Sequence, residues 1–241
     1  MNTRAGSADR STPAVQAGDA PANGSPALQL SPRLLELRTI PALVAAGLFI
    51  RHHYLHSGPA GVKLSFGVFA GDRLAGAVAL NAGPINGWRL VEGARREDCL
   101  CLARLWLADD LPRNSESRVL GLVVRMLRRH TAVRFLVSYA DPAAGHLGTI
   151  YQAAGWIYTG TCEAQPLMAV GDAPPRHTRS IASVNGTHSA AFFRSQGLAV
   201  RLIPTVAKHR YLMFVDPSWR TRLRIPAMAY PKRGGGPDGD S

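Results

Sequence analysis

The sequence predicts an α/β domain with a mixed central sheet and helices on both faces. Apolar strand-like runs alternate with amphipathic helical stretches through the middle of the chain. A hairpin signal, Leu64–Phe69 and Leu74–Leu80 about Ala70-Gly71-Asp72-Arg73, interrupts that alternation. The stretch 137–160 then reads as a buried strand, a polar glycine-bearing loop, a short helix and a second strand. Together these give helix, hairpin, strand–helix, strand–helix, strand.

Residues 1–30 are rich in Ala, Gly, Ser, Pro and Asp, with almost no large apolar side chain. Such a segment buries too little to offset its ordering entropy and is expected to be a disordered tail. Order is expected to begin near Leu28 or Leu34, and a single domain is expected over 31–233. Pro41–His53 carries Leu43, Val44, Ala46, Leu48 and Phe49 at helical spacing, with Pro41 acceptable in a first turn. If that helix continues through His52-His53-Tyr54-Leu55-His56, His52 and His56 share a face, a spacing that can hold a metal. Solvated histidines at a helix end are the plainer alternative.

Gly-Pro and Asn-Gly mark 81–87 as loop. Leu100–Leu107 is a strand with Arg104 inside an apolar run, closed by the loop from Ala108 to Ser115. Asn114 or Ser115 can cap the helix Arg118–His130, and Glu116 sits in the favourable first turn. Val119, Leu120, Val123, Met126 and Leu127 form its apolar stripe. Arg125, Arg128, Arg129 and His130 crowd its C-terminal part, where cations are favoured. Val133–Val137 is the next strand, Gly148–Ala154 a short helix stopped by Gly155, and Trp156–Thr161 a further strand. Gln165–Ala190 reads as loop. Ala199–Ile203 and Tyr211–Val215 read as late strands, and the end of the chain, including 234–241, as a frayed tail. No internal repeat is present.

The chain has 241 residues, a formal charge of +12 and a pI near 10.6. A field of that sign attracts phosphate backbones, so nucleic acid is favoured over other anionic partners. Three cysteines without metal-type spacing read as reduced core thiols, with Cys99 and Cys101 on one face of a strand. The start lacks an apolar signal core, and the run 40–50 is too short to span a bilayer. Export and membrane insertion are therefore not expected.

Side chains able to do chemistry crowd one stretch: Ser138, Tyr139, Asp141, His146 and Tyr151. They follow a strand's carboxyl end, where ligands of α/β sheets tend to sit. Asp141 is a candidate general base, or alternatively an Asx turn starter before Pro142. Tyr151 is a candidate acid, or alternatively a packing residue. Arg104 needs a partner if buried, and Asp109, Asp110 or a substrate phosphate are candidates. His53, Tyr54, Asp141 and His146 are oxygen and nitrogen donors of the kind that hold ferrous iron.

The order of elements, with Tyr151-Gln-Ala-Ala-Gly155-Trp156 matching a Tyr-x-x-x-Gly-aromatic segment, resembles the GNAT acyltransferase fold. A sharper resemblance is carried by Arg104 in Leu-Ala-Arg-Leu-Trp, Asp109-Asp110-Leu-Pro-Arg-Asn-Ser115, Ser138-Tyr-Ala-Asp141, Gly145-His146, Gly148-Thr-Ile-Tyr151 and Gly160. With the later His209-Arg210-Tyr211 and Tyr230-Pro231-Lys232, this run resembles the Mom DNA-modification proteins of bacteriophages over about residues 40–233. The resemblance implies an enzyme that adds a methylcarbamoyl-type group to adenine N6 in duplex DNA. It would act in the host cytoplasm and protect phage DNA from restriction. It also implies an acyl-CoA donor such as acetyl-CoA, and iron.

On that reading Asp141 accepts the N6 proton, with Tyr151, Ser138 and Tyr139 as further catalytic candidates. Tyr139, Tyr54 or Trp156 would stack on an extruded base. Arg104, Arg113, Asn114, Ser115 and Ser117 form the donor side. Arg210, Tyr211, Arg220, Arg222, Arg224 and Lys232 form the DNA side of one cleft. His53, Tyr54 and His146 are the metal candidates. One departure is plain: the turn Pro112–Ser117 contains no glycine, whereas GNAT proteins use a glycine-bearing turn to cradle the CoA pyrophosphate. An ordinary acyl-CoA N-acyltransferase acting on a protein or small amine, and a non-enzymatic basic DNA-binding protein, are the competing readings.

Overall fold

The computed structural model describes residues 31–232. The tails expected over 1–30 and 234–241 lie outside the described residues. The expected α/β arrangement is present: a seven-stranded mixed sheet in the order β1-β2-β3-β4-β5-β10-β6, with helices on both faces.

β1 (Leu35–Thr39) is an edge strand that the sequence reading did not anticipate; only Leu35 and Leu37 alternate inward. α1 (Ala42–His52) buries Ala45 and Phe49, one turn apart, against Ala77 and Ala79. β2 (Val62–Ala70) and β3 (Arg73–Asn81) form the expected hairpin, turning at Gly71 with φ +62°. β4 (Cys99–Leu107) leads to α2 (Ser115–His130), which presses Val119, Leu120, Val123 and Leu127 onto the other face. Val78 and Leu80 belong to that core, while Ala77 and Ala79 face α1. The two-residue period of β3 thus separates the two helix layers.

β5 (Phe135–Ala140) is followed by α3 (Thr149–Ala153) and β6 (Ile157–Thr161), with Gly155 left-handed after α3 as expected. Every neighbouring pair in this sheet is antiparallel except β4 and β5. Those two strands pair only from Cys99–Cys101 to Phe135–Val137 and share no ladder beyond. β4 also carries a register shift there, with Ala103 unpaired between Leu102 and Arg104. The sheet forks at this point, and the fork opens at the strands' carboxyl ends.

Two expectations are corrected. The region 165–190 is not loop: β7 (Leu167–Val170), β8 (Arg176–His177) and α4 (Thr178–Asn185) lie within it, and α5 (Ala190–Ser195) begins at its end. With β9 (Val200–Ile203) they form a three-stranded sheet, β8-β7-β9, around Met168, Ile181 and Phe193. Gly171, Pro174, Pro175 and Gly186 punctuate elements only two to eight residues long, which hides them from a periodicity argument. This excursion leaves the main sheet after β6 and returns at β10 (His209–Phe214), which inserts between β5 and β6. Its neck is closed by the Cys162 N–H bonded to the Lys208 carbonyl at 2.8 Å. The second correction concerns α1, which ends at His52. His53 is extended, His56 adopts φ +43°, and the His52 ring stacks on Trp106 with centroids 4.4 Å apart. The His52/His56 face does not form. No helix among the described residues is long and apolar enough to cross a membrane.

Candidate active site

The fork is held by one side-chain chain. β5's alternation turns Ser138 to the α2 face and Tyr139 to the opposite face. Ser138 Oγ lies 2.9 Å from the Leu102 carbonyl and 2.7 Å from the Tyr151 hydroxyl. A carbonyl only accepts and Ser138 has one proton, so Ser138 donates to Leu102 and Tyr151 donates to Ser138. These bonds replace the missing ladder where β4 leaves β5. Tyr151 is buried beside Trp156 and Tyr211, and burial pushes its phenol up, so it stays protonated at neutral pH. Gly148 (φ +76°) starts α3 directly against the Tyr211 ring, where any Cβ would strike it.

Asp141 stands where β5 ends. Its Oδ1 accepts the Ala143 N–H at 3.0 Å, and its backbone carbonyl accepts the N–H groups of Ala144 and His146. The turn-starter reading of this residue is therefore correct as geometry. The carboxylate does more, however: Oδ2 is 2.8 Å from Lys208 Nζ, at the root of β10. Burial pushes its pKa up, but the Lys208 ammonium and the Ala143 N–H outweigh it and hold the carboxyl below its ordinary value. Lys208 was not among the sequence candidates. It lies forty-odd residues beyond β6 along the chain, and only the pairing of β10 with β5 brings it here.

The segment after α1 supplies the rest. Tyr54 packs its ring against His53 at 4.4 Å and His146 at 4.7 Å. Burial pushes the Tyr54 phenol up, the cations Lys208 and Arg104 oppose this, and Asp141 adds to it. Tyr54 therefore sits within electrostatic reach of both strands of the fork. Burial, followed by Arg104 and His146, lowers His53 to about 4, so it is neutral at physiological pH. Its Nδ1 accepts the Leu55 N–H at 3.2 Å, which places the neutral ring's proton on Nε2. Arg104 is half-buried and pairs with no carboxylate. Nη1 donates to the Ala103 carbonyl at 2.8 Å, and Nε is buried without a partner. The expected partner Asp110 is bound to Arg73 instead, at 2.9 Å.

The metal candidates His53, Tyr54 and His146 do meet, but as a cluster of rings. Among the described residues no three His, Cys, Asp or Glu side chains gather in a way that could hold a metal. The one ring lone pair of neutral His53 is already engaged by Leu55. Iron does not fit this donor set.

Other candidates fall elsewhere. Tyr139 is half-buried on the far face, among Cys101, Val137 and Leu212, and cannot share the Ser138 side of the fork. Trp156 is fully buried core. At the start of α2, Asn114 adopts φ +68°, the left-handed conformation that glycine supplies in other turns. Arg113 and Asn114 are exposed, but the buried Ser115 hydroxyl is spent on the Pro112 carbonyl at 2.6 Å. Tyr211 is removed from the DNA side: it is fully buried, with its hydroxyl donated to the Leu147 carbonyl and accepting from Gln152. Its place in the apolar run Tyr211-Leu-Met-Phe was the sequence signal for that. Arg210 folds onto Thr159, with bonds of 2.9 and 3.0 Å. Arg220, Arg222, Arg224 and Lys232 are exposed. The three arginines follow Phe214, which pairs with Phe135 at the start of β5. Asp141 lies past the other end of that strand, on the order of 20 Å away at the usual rise per residue. The three arginines and Asp141 do not line one cleft.

The forked sheet thus carries an ionised aspartate at its open end, with Tyr54 in the field of both that aspartate and Arg104. The chain belongs to the Mom protein family, whose model matches residues 34–232, and it is an enzyme of the transferase class. It is 29% identical over 206 residues to the methylcarbamoylase mom of Escherichia phage Mu, covering 82% of this chain and 84% of that one. Among solved structures it is similar to an acetyltransferase from Salmonella typhimurium that modifies the N-terminal serine of ribosomal protein L7/L12. That match has 11% identity, covers 76% of this chain and 96% of the other, and has a TM-score of 0.44. It is also similar to IAA acetyltransferase from Bacillus cereus, with 12% identity, 75% and 99% coverage and a TM-score of 0.40.

Proposed function

We propose that this protein adds a methylcarbamoyl-type group to the exocyclic N6 of adenine in duplex DNA, and so protects phage DNA from restriction in the host cytoplasm. The observation that carries the reading is Asp141, held as a carboxylate by Lys208 at the open end of the β4–β5 fork, with Tyr54 between its field and that of Arg104. Family membership and the phage Mu relative support the group transferred.

Adenine N6 is a weak nucleophile because its lone pair is delocalised into the ring. Within a duplex it is also stacked and paired, so the base must be extruded at a cost of a few kcal/mol. Contacts to backbone phosphates offset that cost. Asp141 accepts the N6 proton as the N–C bond forms, and Lys208 keeps the carboxylate ionised and aimed until then. Tyr54, half-exposed at the fork, offers a ring for the extruded base. Tyr151 and Ser138 fix the fork's width. Arg104 donates to the carbonyl of the incoming group.

An acyl-CoA fits the start of α2. The Glu116 and Ser117 N–H groups precede the first intrahelical bonds, and left-handed Asn114 closes the turn without glycine. Arg113, Asn114 and Ser117 would hold the pyrophosphate. When bound, the thioester would supply the two-carbon unit; joining its methyl carbon to N6 in place of a C–H bond also takes a two-electron oxidant, and displacement of the CoA thiol takes an ammonia-level nitrogen donor, both from another source.

The test is expression in bacteria, digestion of plasmid DNA to nucleosides and mass measurement. An adenosine heavier by the added group is expected. Unchanged adenosine with soluble, DNA-bound protein would sink the reading, and acylated small amines in its place would restore the ordinary N-acyltransferase.

A further inference from the structure

The DNA reading needs phosphate contacts beside Asp141, and the Arg220–Arg224 cluster is at the wrong end of the sheet to supply them. The excursion between β6 and β10 is at the right end. It leaves after Thr161 and returns at Lys208, and both flanking strands meet at His209, which pairs with Ala140, one residue before Asp141. It packs around its own core of Met168, Ile181 and Phe193. Over 162–208 it carries five cations, Arg176, Arg179, Arg194, Arg201 and Lys208, against Glu163 and Asp172, a net charge of +3. Arg176, Arg194 and Arg201 are exposed, and none takes part in an ion pair found among the described residues. An exposed arginine with no ion-pair partner is available to a phosphate at little desolvation cost. Phe192, Leu198 and Leu202 are exposed on the same excursion. Apolar side chains among cations suit a duplex from which a base is unstacked better than they suit an acidic protein surface.

We infer that the excursion 162–208 is the duplex-gripping element of the enzyme, with Arg176 on the Met168 face of its small sheet, Arg201 on the Ala169 face and Arg194 on α5 contacting backbone phosphates. This rests on the DNA-modification reading. Its position gives Lys208 a place in the coupling: the residue that closes the neck also holds Asp141, so the grip and the reacting end share one connection.

The experiment is anisotropy titration of a labelled duplex with the full chain between 50 and 200 mM salt, as a function of variant. Replacing Arg176, Arg194 and Arg201 together by Ala should lower affinity about a hundredfold and reduce the log–log salt slope by roughly 3. The same three positions changed to Lys, which keeps the charge, should bind within a few-fold of wild type. Wild-type affinity and slope in the Ala variant would overturn the inference. So would equal loss in the Lys variant, because charge would then not be the cause. Absence of salt-dependent duplex binding by the wild-type chain would overturn the underlying DNA reading instead.

Discussion

The two ends of the main sheet are both basic, and they differ in how far their titratable groups act on one another. At the start of β5, Arg134 pairs with Asp216 at 2.9 Å, and both Arg134 and Arg222 lie over the Trp219 ring. Arg220 and Arg224 are open to solvent there. At the finish of β5, Tyr54 sits in the field of Lys208, Arg104 and Asp141, His53 in that of Arg104, and Arg104 keeps a buried N–H without a partner. Charge alone, +12 over the chain, does not separate these ends. Nor do unpaired donors, since Arg134 Nε at the start is buried without a partner just as Arg104 Nε is at the finish. The gathering of titratable side chains does, with Tyr54 in the field of Lys208, Arg104 and Asp141, and His53 in that of Arg104 and His146.

The largest effect expected belongs to the finish of β5. Asp141→Asn should lower adenine modification by about 10²–10⁴-fold, the usual size of a lost general base, with duplex affinity near wild type. Activity retained in that variant would move the chemistry away from this end. Next comes the fork. Ser138→Ala leaves the Tyr151 hydroxyl buried without its acceptor and should cost about 1–3 kcal/mol in denaturant unfolding. Tyr151→Phe alone should cost about 1 kcal/mol, and the double variant less than the sum. Strict additivity would mean the bond does not tie the strands.

The start of β5 is expected to matter less. Arg220, Arg222 and Arg224 changed together to Ala should weaken duplex binding by about tenfold or less, leaving turnover at saturating DNA unchanged. Lost turnover would erase the contrast between the ends. The smallest effect is acid sensitivity. His53 titrates near 4 when folded and near 6.5 when unfolded, so between those values the unfolded chain binds more protons. His53 therefore contributes fully above pH 6.5, and that contribution is lost as pH falls toward 4. In His53→Gln, unfolding midpoints should decline less between pH 6.5 and 4; an unchanged decline would assign it to other groups.

The sequence made the main sheet readable because its elements carry local signals. Gly71 closes the hairpin, Val119-Leu120-Val123-Leu127 sets the helix face, and Gly155 ends α3. Asp141 and Arg104 stood out because an acid at a strand end and a cation in an apolar run are both unusual. Lys208 and the centrality of β10 were not legible, since pairing between β10 and β5 joins residues about seventy apart. Nor was the face of each polar residue weighed: the period of β5 already sets Ser138 and Tyr139 on opposite sides. Tyr211 looked like a DNA contact from its basic neighbours, but strand geometry buries it while Arg210 turns outward onto Thr159.

The proposed adenine chemistry belongs to the fork's open end, around Asp141. Nucleosides from plasmid DNA of cells expressing the wild-type chain, the Asp141→Asn chain and the Arg220/Arg222/Arg224 triple variant test it in one mass measurement. A heavier adenosine is expected with wild type and with the triple variant, and unmodified adenosine with Asp141→Asn. Modified adenosine from the Asp141→Asn chain, or none from a folded wild-type chain that binds DNA, would contradict it.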